Sequence, residues 1–299
     1  MSLAASEPAR DRIEVAGIRA WGRHGVLAEE TELGQQFVVD VALHVDTAAA
    51  GRSDRLERTV NYAEVARIAR EEIEGEPVAL VETLAERLAA RVLGTIGDPL
   101  VRRIEVTVHK PAAPVGLPVD DVRLRIVRDA EPVDAVLAVG TNLGDREGHL
   151  ARALELLDRT PGVEVDWTSP VVETDPVGGV EQDAFLNAVV GVRTALSPFA
   201  LLAQCQRLEQ DARRERLVRW GPRTLDVDVI AYGAHTSEDE ELTLPHPRAH
   251  ERAFVLEPWR LARPGAVLPG HGEVAALAAV APDRDGLRPG PAIPGYARS

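Results

Sequence analysis

Hydrophobic and polar residues in the first part of the chain follow two different periods. Alternation with period two predicts half-buried strands, and an apolar residue every three to four positions predicts amphipathic helices. The pattern predicts two strands, two helices and two further strands, over residues 12–21, 37–46, 61–73, 81–93, 104–108 and 122–127. Elements segregated in this order are typical of an antiparallel α+β domain.

A second domain is predicted to begin after a short polar segment that contains Pro132. The pattern restarts with a strand, a glycine-containing turn and a helix, followed by two strands, a helix and a strand, over residues 135–139, 140–144, 146–157, 164–172, 188–192, 197–213 and 225–231. Residues 284–299, rich in Gly, Pro and Arg, are predicted to form a disordered tail. The expected boundaries are 11–128 for the first domain, 129–133 for the linker and 134–283 for the second domain.

The composition leads us to expect a two-domain cytoplasmic protein. The length of 299 residues suits two domains, and no apolar run approaches the roughly 18 residues that span a bilayer. The N-terminus lacks the pattern of a secretory signal. The single cysteine, Cys205, excludes a disulfide framework and a cysteine-rich metal site. The net charge of −14 argues against general binding of nucleic acid or of anionic membranes.

Basic residues are distributed unevenly along the chain. Six arginines lie within residues 207–223 of an acidic half, which indicates a local anionic ligand or, alternatively, a solvated helix face. Lys110 is the single lysine among 34 basic residues. An amine can exchange a proton near neutral pH when its surroundings shift its pKa, whereas a guanidinium cannot. Lys110 is therefore a candidate for proton transfer, although chance explains the count equally well.

Asp226 and Asp228 are candidate metal ligands. Residues i and i+2 of a strand face the same side, so the predicted strand presents two carboxylates together, and a cation would relieve their repulsion. Hard oxygen ligands of this kind suit Mg²⁺ that also binds substrate phosphates. The nearby guanidiniums are natural partners of phosphate oxygens, and they belong to Arg214, Arg216, Arg219 and Arg223. The alternative is a solvated aspartate pair beside a basic turn.

The second half resembles the 6-hydroxymethyl-7,8-dihydropterin pyrophosphokinase family. The block that carries most of this resemblance is RWGPRTLDVD at residues 219–228. The other matching stretches are VGTN at 139–142, ETDPVG at 173–178, FLN at 185–187 and PHP at 245–247, with Arg252 and Phe254 beyond them. There is no Gly-x4-Gly-Lys-Ser/Thr motif, so the phosphate site is not a P-loop.

This resemblance implies a ferredoxin-like α+β fold and transfer of the pyrophosphoryl group of ATP to the hydroxymethyl oxygen of the pterin. It implies that Asp226 and Asp228 bind two Mg²⁺ ions, and that Arg214 and Arg223 act in catalysis. The residues implied to contact ATP are Glu209, Arg216, Arg219, Trp220, His246 and Arg252. The residues implied to line the pterin pocket are Thr174, Val177, Phe185, Asn187 and Phe254.

The first half resembles the dihydroneopterin aldolase family. The matching stretches are GRHGV at residues 22–26, GQ at 34–35, VVD at 38–40, TVNYAE at 59–64, LVETLAER at 80–87 and VHKP at 108–111. The residues in or near these stretches that could carry chemistry are Glu30, Tyr62, Glu82 and Lys110. Each by itself also has a structural explanation, such as a first-turn carboxylate favoured by the helix dipole for Glu82.

The aldolase resemblance implies a tunnelling-type fold in which several subunits form a ring, with sites between neighbours. It implies a homo-oligomer, a tetramer or octamer, in which Tyr62 reaches a site on the adjacent chain. The implied reaction cleaves 7,8-dihydroneopterin to glycolaldehyde and 6-hydroxymethyl-7,8-dihydropterin without metal or cofactor. The resemblance implies that Lys110 is the acid/base group, that Tyr62 handles the proton of the enol intermediate, and that Glu30 lies near the side-chain hydroxyls. It also implies that Glu82 anchors the pterin edge and that Val81 adds backbone contacts.

The two resemblances together indicate a bifunctional enzyme of folate biosynthesis, because the product of the first reaction is the substrate of the second. One alternative is that the first domain serves only as an oligomerising scaffold for an active pyrophosphokinase. Another is that the first domain acts mainly as an epimerase. The expected partners are pterin substrates and ATP, with neither nucleic acid nor membrane.

Overall fold

The computed structural model describes residues 11–97, 99–175, 183–212 and 224–293, and they form two compact units. The boundary between the units falls between Glu131 and Pro132. One strand ends at Asp129 and the next begins at Val133, so the connection is residues 130–132, shorter than the predicted linker 129–133. None of the helices in the described residues combines the length and apolar character that crossing a bilayer requires.

The first unit is a four-stranded antiparallel sheet with two main helices. Its elements are β1 (Asp11–Gly22), α1 (Ala28–Leu33), β2 (Gln35–Val45), α2 (Ala48–Ser53), α3 (Tyr62–Glu74), α4 (Val81–Val92), β3 (Val101–His109) and β4 (Arg123–Asp129). The sheet order is β1-β2-β3-β4. Apolar residues repeated at helical spacing on α3 and α4 pack on the sheet, as the periodicity predicts. The predicted order of strands and helices is confirmed.

The sequence pattern did not predict the two short helices of the first unit, α1 and α2, because six residues are too few to show a helical period. The first of them, α1, begins where the Glu30 carboxylate accepts the backbone N–H of Leu27, at 3.1 Å. Such a cap satisfies a backbone donor that the first turn of a helix leaves free. The longer helix α3 is capped by Asn61, whose side chain accepts the N–H of Ala63.

The second unit is a twisted antiparallel sheet with helices on both faces. Its elements are β5 (Val133–Thr141), α5 (Arg146–Asp158), β6 (Val163–Thr168), β7 (Val172–Thr174), β8 (Phe185–Thr194), α6 (Pro198–Asp211), β9 (Asp226–Tyr232), β10 (Ser237–Glu238), β11 (Thr243–Leu244), α7 (Ala253–Ala262), β12 (Val267–Leu268), β13 (Gly272–Glu273), α8 (Val274–Val280) and β14 (Leu287–Pro289). The main sheet has the order β14-β7-β8-β5-β9, and β6 also pairs with β8.

The central strands of this sheet have the ferredoxin-like order. We count β5 as strand 1, β6 and β7 together as strand 2, β8 as strand 3 and β9 as strand 4. Across the sheet these strands then lie in the order 4-1-3-2. The sequence pattern predicts one strand over residues 164–172, and the structure has two because Pro170 interrupts the ladder; proline has no N–H to donate. Alternate residues are buried on opposite faces, with Val190 and Leu137 in the core beside α5 and α6, and Val189 and Ile230 beside α7 and α8.

The prediction of a disordered tail from residue 284 is wrong for residues 284–293. A 3-10 turn, Arg284–Gly286, leads into β14, which pairs with β7 so that Leu287 lies opposite Thr174. Ile293 is buried in the core of the second unit. A composition rich in Gly, Pro and Arg does not reveal that a distant strand edge is available for pairing. Residues 294–299 lie outside the described part of the chain.

Candidate active sites

Lys110 and Glu30 form a buried ion pair in the first unit. The Nζ atom of Lys110 lies 2.6 Å from Oε1 of Glu30, and both side chains are largely shielded from solvent. The same ammonium lies 5.9 Å from the centroid of the Phe37 ring. Glu30 also accepts hydrogen bonds from the N–H of Leu27 and from Nε2 of Gln35. The structure therefore brings together two residues that the sequence places 80 positions apart.

The pKa of the Glu30 carboxyl is lowered from its ordinary value. Burial by itself favours the neutral form and raises this pKa, but hydrogen bonds from Lys110 and from the N–H of Leu27 outweigh burial because they stabilise the charged form. Glu30 is thus held as a carboxylate beside the lysine. This arrangement fixes the amine in position and offers a nearby group with which it can exchange a proton.

His109, which the sequence analysis did not single out, connects the neighbourhood of Lys110 to two other elements. Its Nδ1 lies 2.6 Å from Oδ2 of Asp121, and its Nε2 lies 3.0 Å from Oδ2 of Asp40. Burial lowers the pKa of His109, but the two carboxylates outweigh burial and raise it. The N–H of Lys110 donates to the carbonyl of Val122, at 2.8 Å. The only sequence signal for this role is that His109 precedes the lone lysine.

Tyr62 and Glu82 lie at the starts of α3 and α4, and both are exposed. Val81, the first residue of α4, is half-buried. Neither Tyr62 nor Glu82 forms a hydrogen bond or ion pair with the buried Lys110–Glu30 pair among the described residues of one chain. The single chain therefore assembles only the Lys110–Glu30 part of the predicted aldolase site.

Asp226 and Asp228 open β9 in the second unit, with both side chains half-buried on one side of the strand and Val227 buried between them. Oδ2 of Asp228 lies 3.7 Å from Nη1 of Arg252 and 4.0 Å from Nε2 of His246. Among the residues that the structure describes, no group of three or more possible protein ligands is present. The two carboxylates fit Mg²⁺, which commonly takes one or two protein carboxylates and completes its shell with phosphate and water.

Glu209 and His246, two of the predicted ATP-binding residues, lie beside this carboxylate pair. Glu209, near the end of α6, accepts the N–H of Val227, at 3.1 Å. Burial, with a smaller contribution from the charge of Arg252, lowers the pKa of His246 to about 4. The imidazole is therefore neutral at physiological pH, and it can donate one hydrogen bond without adding charge. Glu209, His246, Arg252 and the two aspartates form one polar cluster.

The predicted pterin-binding residues Thr174, Phe185 and Asn187 meet where β7 pairs with β8. Thr174 lies opposite Phe185 in the ladder, and Nδ2 of the buried Asn187 donates to Oγ1 of Thr174, at 3.0 Å. Phe254 lies apart from these three, in the first turn of α7, with its ring centroid 5.5 Å from the guanidinium of Arg252. Arg252 thus links the aromatic residue to the carboxylate cluster.

Gly140 joins the pterin residues to the carboxylates. It pairs with Asn187 on one side and with Asp226 on the other, and directly paired residues project to the same side of a sheet. Asn187 and Asp226 therefore share one side of the sheet and lie about 10 Å apart, two strand spacings. A Cβ atom at residue 140 would lie 2.9 Å from Oδ1 of Asn187, so glycine leaves room for the amide. The remaining predicted residues lie outside the described chain, and they are Val177, Arg214, Arg216, Arg219, Trp220 and Arg223.

Two family models match the chain. One, described as dihydroneopterin aldolase, matches residues 13–127, and the other, 7,8-dihydro-6-hydroxymethylpterin-pyrophosphokinase, matches residues 136–264. Dihydroneopterin aldolase of Streptomyces coelicolor is 48% identical over 118 residues, which are 40% of this chain and 97% of that protein. The 2-amino-4-hydroxy-6-hydroxymethyldihydropteridine pyrophosphokinase of Bacillus subtilis is 47% identical over 124 residues, 42% of this chain and 74% of that protein. The bifunctional protein FolKE of Lactococcus lactis subsp. cremoris is 43% identical over 122 residues, 41% of this chain and 35% of that protein.

The chain therefore belongs to the dihydroneopterin aldolase family through its first domain and to the hydroxymethyldihydropterin pyrophosphokinase family through its second. It is a bifunctional enzyme of folate biosynthesis, a lyase in the first domain and an ATP-dependent transferase in the second. The alternatives of a purely scaffolding first domain or of a dedicated epimerase are not favoured.

Proposed function

We propose that the two domains catalyse consecutive steps through the residues described above. The first domain cleaves 7,8-dihydroneopterin, and the second transfers the pyrophosphoryl group of ATP to the 6-hydroxymethyl-7,8-dihydropterin that is released. The observation that carries the first assignment is the buried Lys110–Glu30 pair. The observation that carries the second is the placement of Asn187 and the Asp226 carboxylate on one side of the sheet, on either side of Gly140.

In the aldolase step, Lys110 acts as the acid/base group, with Glu30 holding the amine in place. A proton leaves the side-chain hydroxyl of the substrate, and the carbon–carbon bond next to it breaks to release glycolaldehyde. The dihydropterin ring takes up the electron pair, so this step needs neither metal nor cofactor in our proposal. A proton is then returned to the enol, a transfer assigned to Tyr62. Glu82 binds the pterin edge, with Val81 contributing backbone contacts.

Tyr62 and Glu82 act at sites shared between subunits in this proposal. Tyr62 is 63% exposed, and the same unit exposes the large apolar residues Trp21, Leu33 and Leu56. Covering exposed apolar side chains by another subunit removes apolar area from water, which is favourable and supports an interface. We therefore propose a homo-oligomer built through the first domain, with a mass in solution corresponding to four or eight chains. Light scattering on the intact protein tests this assembly.

In the pyrophosphokinase step, Asp226 and Asp228 hold two Mg²⁺ ions, which neutralise charge on the phosphates of ATP when they are bound. Asn187 reads the pterin edge, and Phe185 and Phe254 contact the ring. The hydroxymethyl oxygen forms a bond to the β-phosphorus of ATP as the bond from that phosphorus to AMP breaks, and the hydroxyl proton is lost. Arg252, His246 and the arginines of residues 214–223 are assigned to the phosphates. With ATP as its co-substrate, the enzyme is proposed to act in the cytoplasm.

The two activities are tested together by incubating the pure protein with 7,8-dihydroneopterin, ATP and Mg²⁺ and analysing the products by mass. The expected products are glycolaldehyde, AMP and the pyrophosphoryl ester of the pterin. Omission of ATP should stop the sequence at 6-hydroxymethyl-7,8-dihydropterin. Absence of glycolaldehyde would overturn the aldolase assignment, and failure to convert added 6-hydroxymethyl-7,8-dihydropterin would overturn the pyrophosphokinase assignment.

A further inference from the structure

Arg146 bridges two strands of the second unit from outside the sheet. It is the first residue of α5, and its Nη1 atom lies 2.7 Å from the carbonyl oxygen of Ala184 and 3.1 Å from Oε1 of Glu173. Both side chains of this ion pair are only about one-third exposed, at 32% for Arg146 and 27% for Glu173. Glu173 belongs to β7, and Ala184 immediately precedes β8. A single guanidinium nitrogen therefore ties the two strands together.

The two residues that Arg146 holds are the immediate neighbours of proposed pterin-binding residues. Thr174 follows Glu173, and Phe185 follows Ala184, and the ladder places Thr174 opposite Phe185. The same pairing supports the hydrogen bond from Asn187 to Thr174. A shift between β7 and β8 at this end would therefore move three groups that face the pterin.

The position of Arg146 is itself determined by the turn before α5. Gly144 has a φ of +68°, a conformation that favours glycine, and Asp145 caps the helix by accepting the N–H of Gly148, at 3.0 Å. In the same turn, the buried Asn142 donates from Nδ2 to the carbonyl of Asp183, at 3.2 Å. A cation at the first position of a helix is repelled by the positive end of the helix dipole, so α5 does not stabilise the charge of Arg146. Its favourable contacts are those to Glu173 and Ala184.

We infer that Arg146 is a positioning residue for the pterin, since it ties Glu173 to Ala184 and so holds Thr174, Phe185 and Asn187 in register. This role rests on the proposed function, in which Thr174, Phe185 and Asn187 bind the pterin. Arg146 itself is assigned no contact with the pterin or with ATP. The contacts are charge-assisted hydrogen bonds in a partly buried setting, which are stronger than those of an exposed surface pair. Their loss is expected to affect pterin binding more than ATP binding or the chemical step.

The test compares steady-state pyrophosphoryl transfer by the full chain and by its variants, with added 6-hydroxymethyl-7,8-dihydropterin. In Arg146→Ala, the KM for the pterin should rise about tenfold, equivalent to ~1.4 kcal/mol, while kcat and the KM for ATP stay near their wild-type values. Arg146→Lys should recover most of the loss, because one nitrogen makes both contacts and an ammonium can replace it. Glu173→Gln should raise the pterin KM in the same direction by a smaller factor.

The matched control is Arg152→Ala. Arg152 lies on the same helix and forms an ion pair of 2.9 Å with Glu155, but that pair does not involve β7 or β8. An unchanged pterin KM in Arg146→Ala, an equal rise in Arg152→Ala, or no recovery in Arg146→Lys would overturn the inference. If Arg146→Ala fails to fold, the lysine and Glu173→Gln variants decide the question in the same way. Failure of the wild-type chain to use the pterin would instead refute the proposed function, which is a distinct result.

Discussion

Replacement of Lys110 by arginine separates a role in proton transfer from a role as a positive charge. Both side chains carry a cation that can pair with Glu30, but only an amine can give up its proton near neutral pH. Glu30 lies 2.6 Å from the amine and its side chain is 7% exposed. The variant therefore keeps the buried carboxylate paired and removes the capacity to exchange a proton.

A positioned acid/base group typically accelerates a reaction about 10²- to 10⁴-fold. We therefore expect K110R to release glycolaldehyde about 10³-fold more slowly than the wild-type protein. Lys110→Met should lose activity to a similar extent for an additional reason. It leaves the Glu30 carboxylate buried without its cation, and removal of one partner of a buried pair costs about 3–5 kcal/mol. The methionine variant should therefore be clearly less stable than the arginine variant.

The assay measures glycolaldehyde released from 7,8-dihydroneopterin by the intact protein. Pyrophosphoryl transfer to added 6-hydroxymethyl-7,8-dihydropterin, measured on the same preparation, reports whether the second domain is intact, and it should be unchanged in both variants. If Lys110 serves only as a positive charge, K110R should cleave its substrate at nearly the wild-type rate. That result would refute the proton-transfer role.

Two further predictions concern the metal site and the histidine beside Lys110. Asp228→Ala, or EDTA added to the wild-type protein, should abolish most pyrophosphoryl transfer and spare glycolaldehyde release, because the proposed metal ligands belong to the second domain alone. Transfer that persists in Asp228→Ala would reject the metal assignment. Cleavage that EDTA stops and Mg²⁺ restores would reject the metal-free aldolase. The pKa of His109 is raised because Asp121 and Asp40 outweigh burial. The contribution of the protonated imidazole to the free energy of unfolding is therefore complete below about pH 6.5, and it is lost as the pH rises through the raised pKa of the folded protein. The thermal midpoint of the first domain should therefore fall more steeply from about pH 6 to about pH 9 in the wild-type protein than in His109→Gln, and equal slopes would contradict this.

The sequence by itself determined the features that depend on neighbouring residues. The periods of apolar residues predicted the main strands and helices of both units, because one face of each element must be buried. The spacing of Asp226 and Asp228 predicted that both carboxylates lie on one side of a strand, which β9 confirms. The helix caps that the structure shows at Asn61 and Ser197 are equally local, since a cap involves residues only two or three positions apart.

Features that join distant parts of the chain were decided by the tertiary structure. The Lys110–Glu30 pair, the two carboxylates on His109 and the contact of Arg146 with Glu173 depend on strand register, and no local pattern encodes register between distant segments. The same reason explains the wrong prediction of a tail, because the strand at Leu287–Pro289 forms only where the edge of β7 is present to accept its backbone hydrogen bonds. Residue types in short motifs therefore indicated the chemistry, whereas the packing of remote strands determined which of those residues lie within bonding distance.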